Sequence, residues 1–292
     1  MKRNDFYKMI DRLILLKRNI KMRNEKKYLK KNVSLKGTHL GERCFIFGNG
    51  PSNKLLDFST FSDEFVFTVN QLARNNQFPK LKTNVHFWAD YNFFNLDLSI
   101  SENQELFNQM KNVKTADNSP ECFFPLDFRK YIEDTKLNEA VNTNYFLPTY
   151  ALEYFPNKEN RFDDVIPAFY TVVHYAIFLA NYMGFSEIYL LGCENSSIVT
   201  TIKVRMDEDA SDTYGYDLSE NEKKRMKTMR SGLSFSDELY AFYRATKDYE
   251  SIKSYCEKHG THIYNCTPSS LIDCIEHKDI TEILGDRVLI KE

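Results

Sequence analysis

The clearest chemical signal in the chain is the run Gly48-Asn49-Gly50-Pro51-Ser52, placed where a short apolar segment, residues 43–47, stops abruptly. Two glycines allow a tight turn and close backbone approach, and a proline stiffens the exit. A buried strand ending this way is how an α/β protein presents backbone N–H groups to a phosphate. The loop lacks the lysine of GxxxxGK[ST], which disfavours a triphosphate cradle, and Asn53 stands where GxGxxG needs its third glycine, which argues against a dinucleotide. Other polar residues close apolar runs in the same way: Asn70 after residues 64–69, Asp90 after 84–89, and Glu194 after 187–191. Each is a candidate ligand contact, against the plainer reading of a turn former. Asp207-Glu208-Asp209 spells the D-x-D of metal-dependent sugar transferases, but it lies in a charged stretch and not at a strand tip. No metal is expected there. His259 and His262 lack a third ligand nearby, and His174 sits in an apolar segment as a core or interface histidine.

These residues need a scaffold. Apolar runs of about five residues recur at intervals of about twenty, each ending in polar residues, which predicts an open, mainly parallel sheet with its ligand outside the carboxyl ends. The fold class expected is α/β, Rossmann-like, with flanking helices. Helices are predicted over 101–110, capped by Ser101, over 167–183, stopped by Gly184, and over 235–259. A last strand covers 261–266, and a short helix 271–275. Residues 112–164 have a weak pattern, compatible with extra strands or an irregular excursion. Residues 195–234 are polar and charged, expected to be disordered or a lid that orders on binding.

The chain has 292 residues with a net charge of −2, enough for a sizeable core and not the bulk charge of a nucleic-acid binder. Six cysteines without a CxxC pair read as reduced thiols of a cytoplasmic protein. No signal peptide and no membrane-spanning run is expected. Residues 1–31 stand apart, with twelve Lys and Arg against three Asp and Glu, and Phe6, Ile10, Leu13, Ile14, Leu16 and Ile20 at helical spacing. They form a basic amphipathic helix, read as a solvated helix packed on its own domain or a second subunit, or as one lying on anionic lipid. Residues 32–292 are the expected nucleotide-binding catalytic domain, with the insertion at about 195–234 as its lid.

The ordered set GNGPS, Val69-Asn70-Gln71, GFSEIYLLGCE (184–194) and IYNCTPSSLID (263–273) resembles two related groups. One is the bacterial CMP-sialic-acid sialyltransferases of glycosyltransferase family 42; the other is the motility accessory factors and MptE-like pyrophosphokinases. The resemblance covers about residues 41–275, with gaps at 90–167 and in the charged insertion. It implies a metal-independent, inverting glycosyltransferase without a cofactor. Such an enzyme moves sialic acid, another nonulosonate or a Kdo-type sugar from a CMP donor to a surface glycan or lipid-linked acceptor. By the same resemblance Asn49, Gly50 and Ser52 contact the donor, Asn70 joins them, Glu194 takes the place of the usual Asp, and Pro268-Ser269-Ser270 matches the final turn. Gly48, Asn49, Gly50, Pro51, Ser52, Asn70, Thr171, Glu194 and Ser269 form the expected binding set. The family's general-base histidine has no counterpart, since no His lies between His174 and His259. Tyr240, Tyr243 and Asp90 are the catalytic candidates, with Glu194 and His174 also conceivable as bases, and Tyr214 or Tyr216 as leaving-group donors. The alternatives are an ATP- and magnesium-dependent pyrophosphokinase or a non-catalytic accessory protein. Expected partners are the CMP-sugar, the saccharide acceptor, a peripheral membrane contact through residues 1–31 and a second copy, but no nucleic acid.

Overall fold

The computed structural model describes residues 3–290 and, in the first helix, the side chains from Met9 onward except Asp11. Helix α1 (Arg3–Lys21) leads into a 3₁₀ segment (Glu25–Leu35) and strand β1 (Arg43–Phe47). Then come β2 (Val66–Val69), β3 (Val85–Phe87), α2 (Ser101–Lys111), β4 (Glu121–Pro125), α3 (Arg129–Asp134), α4 (Leu137–Ala140), β5 (Asn142–Tyr150) and β6 (Val165–Pro167). The chain continues through α5 (Val172–Met183), β7 (Glu187–Leu191), α6 (Ser197–Arg205), α7 (Glu220–Ser231), α8 (Phe235–Lys258), β8 (His262–Asn265), β9 (Glu276–His277) and α9 (Ile280–Leu284). Among the described residues nine strands form one parallel sheet in the order β6-β5-β4-β3-β2-β1-β7-β8-β9. The expected fold class is the observed one.

Strand order reverses beside β1. From β1 the chain steps outward to β6, then returns to pair β7 on the free side of β1, with Phe45 opposite both Val66 and Tyr189. That reversal opens a crevice at the carboxyl ends, where ligands of such sheets bind. Alternation along the strands feeds two cores. Phe45, Phe47, Tyr189 and Leu191 face one layer, and Cys44, Ile46, Ile188 and Leu190 face the other, which α5 and α8 cover. Helix α5 is apolar all round because it is buried all round, between the sheet and α8. Gly184, at φ 93°, closes it.

Several local expectations change. The apolar run 165–183 is two elements: Pro167 ends the edge strand β6, and the helix starts only at Val172. Ser101 is the first residue of α2 and not its cap, and its hydroxyl donates to Glu102. Residues 271–275 are not helical. The weak stretch 112–164 carries β4 and β5, the latter the longest strand. Within α8 the spacing puts Leu239, Phe242, Tyr243, Tyr249, Ile252 and Tyr255 on one apolar side, but Leu239 and Tyr243 are exposed. Among the described residues no helix is long and apolar enough to cross a membrane, and all six cysteines are free thiols.

The insertion 195–234 folds as α6 and α7, and α7 packs on α2. A buried ionic network makes that joint. Glu222, 1% exposed, receives both Arg225 (2.7 Å) and Gln71 (2.7 Å) and lies 3.5 Å from Arg74, which also binds Glu105 (2.8 Å). Removing one member of such a network strands the others without water. Glu222→Ala is expected to lower unfolding free energy by about 3–5 kcal/mol, read by urea denaturation. A loss under about 1 kcal/mol would mean the network does not hold α7.

Candidate functional site

The tips of β1 and β7 are laced together by backbone. Gly48 N donates to Leu191 O (2.7 Å), Gly50 N to Gly192 O (2.8 Å), and Gly215 N, from the insertion, to Asn49 O (2.8 Å). The glycines are needed for this closeness. A Cβ on Gly48 would stand 2.2 Å from Gly192 O, and one on Gly50 would stand 1.4 Å from Glu194 Oε2. Ser52 N, at the start of the 3₁₀ helix Pro51–Leu55, donates to Glu194 Oε1 (2.7 Å). Much of the expected backbone cradle for a phosphate is therefore spent inside the protein: the N–H groups of Gly48, Gly50 and Ser52 all have protein acceptors, one of them a carboxylate. What the loop offers is the Asn49 side chain, whose buried Oδ1 has no partner, beside Glu194 Oε2 and Ser52 Oγ, which have none either.

These tips form one wall of a cleft of about 360 Å³. Gly48, Asn49, Gly50, Asn70, Thr171 and Glu194 from the expected set line it together. Asn70 occupies the left-handed region (φ 46°), which Asn tolerates better than most residues. His86 holds it there. Nε2 lies 2.9 Å from Asn70 O, which can only accept, so Nε2 carries the proton and Nδ1 accepts from the Thr68 hydroxyl at 2.7 Å. Burial pushes the His86 imidazole down to about 3, so this neutral tautomer persists at physiological pH.

The opposite wall comes from α6, α7 and α8. Arg230, in the last turn of α7, donates through Nη1 to Glu238 (2.6 Å) and to the Thr201 hydroxyl, while its buried Nε has no partner. Arg205 binds the same Glu238 carboxylate (2.5 Å). Two guanidinium groups on one carboxylate leave a net positive charge on this wall. Tyr214 lies beside Arg230, and burial pushes its hydroxyl up, so it remains a proton donor. Helices α5 and α6 place their first residues in the cleft (Thr171–Val173 and Asn195–Ser197), and neither has a side-chain cap bond. Their N-terminal N–H groups add positive potential.

Other expected residues lie elsewhere. Asp90 caps the turn at Asn92, accepting its N–H at 2.9 Å, and does not line the cleft. Tyr240 and Tyr243 are exposed on the outer side of α8; the cleft is lined instead by Glu238, Ala241, Phe242, Ala245 and Tyr249, one helical face. Ser269 is in a left-handed turn outside the cleft; its neighbours brace Glu194, with Ser270 Oγ donating to Cys193 O (2.8 Å) and Leu271 N to Glu194 O (2.9 Å). His174 is fully buried behind Tyr249 (ring centroids 4.1 Å apart), and burial pushes it down to about 3. Asp207 and Asp209 pair with Lys227 and Lys223, and no group of three His, Cys, Asp or Glu among the described residues is arranged to hold a metal.

At the rim, Asp248 accepts from Tyr170 N (3.3 Å) and faces Arg244 (3.5 Å), which also binds Glu153 (2.7 Å). Burial outweighs these partners and pushes the Asp248 carboxyl up to about 6. A raised carboxyl favours the folded state while protonated, so its contribution fades as pH rises from about 4 to about 6. Relative to Asp248→Asn, the unmodified protein is expected to lose up to about 3 kcal/mol over that interval. Chemical denaturation at several pH values measures this, and a constant difference would refute it.

Neither a protein-family model nor a curated protein sequence matches the chain. Among solved structures, it is similar to the sialyltransferase CstII from Campylobacter jejuni in complex with a substrate analogue, cytidine-5'-monophosphate. That match has 18% identity over 82% of this chain and 85% of that chain, with a TM-score of 0.42. It is also similar to the monofunctional alpha-2,3-sialyltransferase Cst-I from Campylobacter jejuni, at 17% identity over 86% of this chain and 89% of that chain, with a TM-score of 0.43.

Proposed function

We propose that the cleft binds a CMP-activated sugar of the sialic acid, nonulosonate or Kdo type and transfers the sugar, with inversion, to a hydroxyl of a saccharide or lipid-linked saccharide. The reaction is assigned to the cytoplasmic side and to no metal. The observation that carries this reading is that three residues with unpartnered buried polar atoms line one cleft together: Asn49 and Glu194 on one wall, Arg230 on the other. Buried polar atoms are seldom left without partners, and a ligand, an ion or water supplies them where the protein does not.

Charge sorts the ligand. Glu194 and Asn49 Oδ1 are acceptors, suited to ribose hydroxyls or a base amine. A phosphate belongs with Arg230, the Tyr214 hydroxyl and the start of α6. In the transfer, the acceptor oxygen bonds to the anomeric carbon as the bond from that carbon to the phosphate oxygen breaks. The electron pair leaves with CMP, and the acceptor's proton passes to a base in the cleft. A single phosphate carries less charge than a diphosphate, and one guanidinium with one phenol matches it.

Isothermal calorimetry and thermal shift with CMP, UMP and ATP with magnesium test this. Selective stabilisation by CMP is expected, by about 3 kcal/mol at a hundredfold excess over Kd. Arg230→Gln and Asn49→Ala are each expected to weaken CMP binding about tenfold or more, and Arg230→Gln to slow CMP release from a CMP-sugar. No response to CMP, or a response only to ATP with magnesium, overturns the reading; the second result favours pyrophosphoryl transfer.

A further inference from the structure

Helix α1 has two apolar faces, and the fold uses only one. At about 100° per residue, Leu15, Arg18 and Met22 share a side. That side is docked: Leu15 and Met22 join the core, and Arg18 binds Asp127 beyond β4 and the carbonyl of Pro148 in β5 (3.0 Å). Met9, Leu13, Leu16 and Ile20 lie on the other side, within about 60° of one another. They are 44%, 58%, 58% and 69% exposed. Exposed Arg12 borders this stripe on one flank, and exposed Lys17 and Lys21 on the other. None of the three forms an ion pair with another described residue, whereas Arg18 on the docked side and Lys26, Lys30 and Lys31 in the segment that follows α1 all do.

An apolar stripe flanked on both sides by cations that pair with no other described residue is suited to a surface with an apolar interior and a negative skin. We propose that the outer face of α1 binds the headgroup layer of an anionic bilayer, lying in its plane, with Leu13, Leu16 and Ile20 inserted and Arg12, Lys17 and Lys21 on lipid phosphates. A second copy is a poorer occupant. Stripe against stripe, in either orientation, brings Arg12, Lys17 and Lys21 against their own kind, the reverse of what flanking positions of a helix pair require. The docked face also fixes what the bilayer would meet. Arg18 anchors α1 at the carboxyl ends of β4 and β5, on the same edge of the sheet as the cleft beside β1 and β7. The inference holds whether or not the cleft takes CMP.

The test is co-sedimentation of the full chain with vesicles of phosphatidylcholine alone and with about a third phosphatidylserine. Binding at least about tenfold tighter to the anionic vesicles is expected, falling steeply as salt is raised toward about 1 M. Leu13→Glu with Leu16→Glu should abolish it, and Lys17→Glu with Lys21→Glu should weaken it about tenfold or more. These side chains face outward, so circular dichroism, thermal unfolding and CMP affinity should be unchanged. Failure to bind anionic vesicles, equal binding to both kinds, or binding indifferent to the leucine changes overturns the proposal. So does a dimer that the leucine changes dissolve, which would give the stripe to a second copy.

Discussion

Everything at the site depends on how closely two backbones approach between β1 and β7. Gly48 and Gly50 pack against Gly192, and Gly215 packs against Gly50 and Asn53, with the glycine Cα hydrogens taking the place of side chains. This contact joins the two halves of the sheet at their tips, sets Asn49 at the cleft wall and pins the insertion to the loop through Gly215. Asn53 seals it from beneath, donating to Gly48 O at 2.9 Å, and Asn75 donates to Gly215 O at 2.6 Å. The loop's amides thus act as internal fasteners. The cleft wall is finished by side chains, and its positive charge comes from a helix over a hundred residues further along the chain.

That division of labour explains how the walls acquire opposite character. Glu194 must face Ser52 N, because the short 3₁₀ helix needs an acceptor at its start. An anion is thereby built into the loop side. The insertion supplies the compensating cation, and it does so from a rigid mount, since α7 carries Arg230 at one end and the buried Glu222 and Arg225 nearer the other. A side chain held on a packed helix loses little freedom when it meets a ligand.

The sheet was largely legible. Residues 43–47 and 187–191 are delimited correctly because short apolar runs meet glycines, and Asn70 and Glu194 line the cleft because polar residues at strand tips face the crevice. Strand β6 is invisible in the sequence: its last residue, Pro167, falls at the start of the helix read over 167–183, and periodicity cannot separate a short buried strand from the buried helix after it. Asp90 and Ser269 had the chemistry of site residues but are used in turns. Tyr240 and Tyr243 lie off the cleft-lining face of α8, with the Tyr240 ring 6.1 Å from that of Tyr170 at the rim; the pattern could not tell this, because the cleft face (Glu238, Phe242, Ala245) mixes charge, aromatic and alanine. Arg230 was hidden among like residues. Its partners Thr201 and Glu238 sit on two other helices, so nothing in its linear neighbourhood distinguishes it from Lys227 or Arg225.

The pairing of β1 with β7 also bears on how the chain folds. Strands β1 to β6 are each added beside the last, so that half can form in sequence order while the chain is still being made. The remaining edge of β1 has to wait until β7 emerges. In the interval a central strand, RCFIF, lies open along one side, the kind of edge that invites pairing with another chain. Closing that gap is a long-range, slow event. It also creates the cleft, so occupancy of the cleft would report that the two halves of the sheet had met.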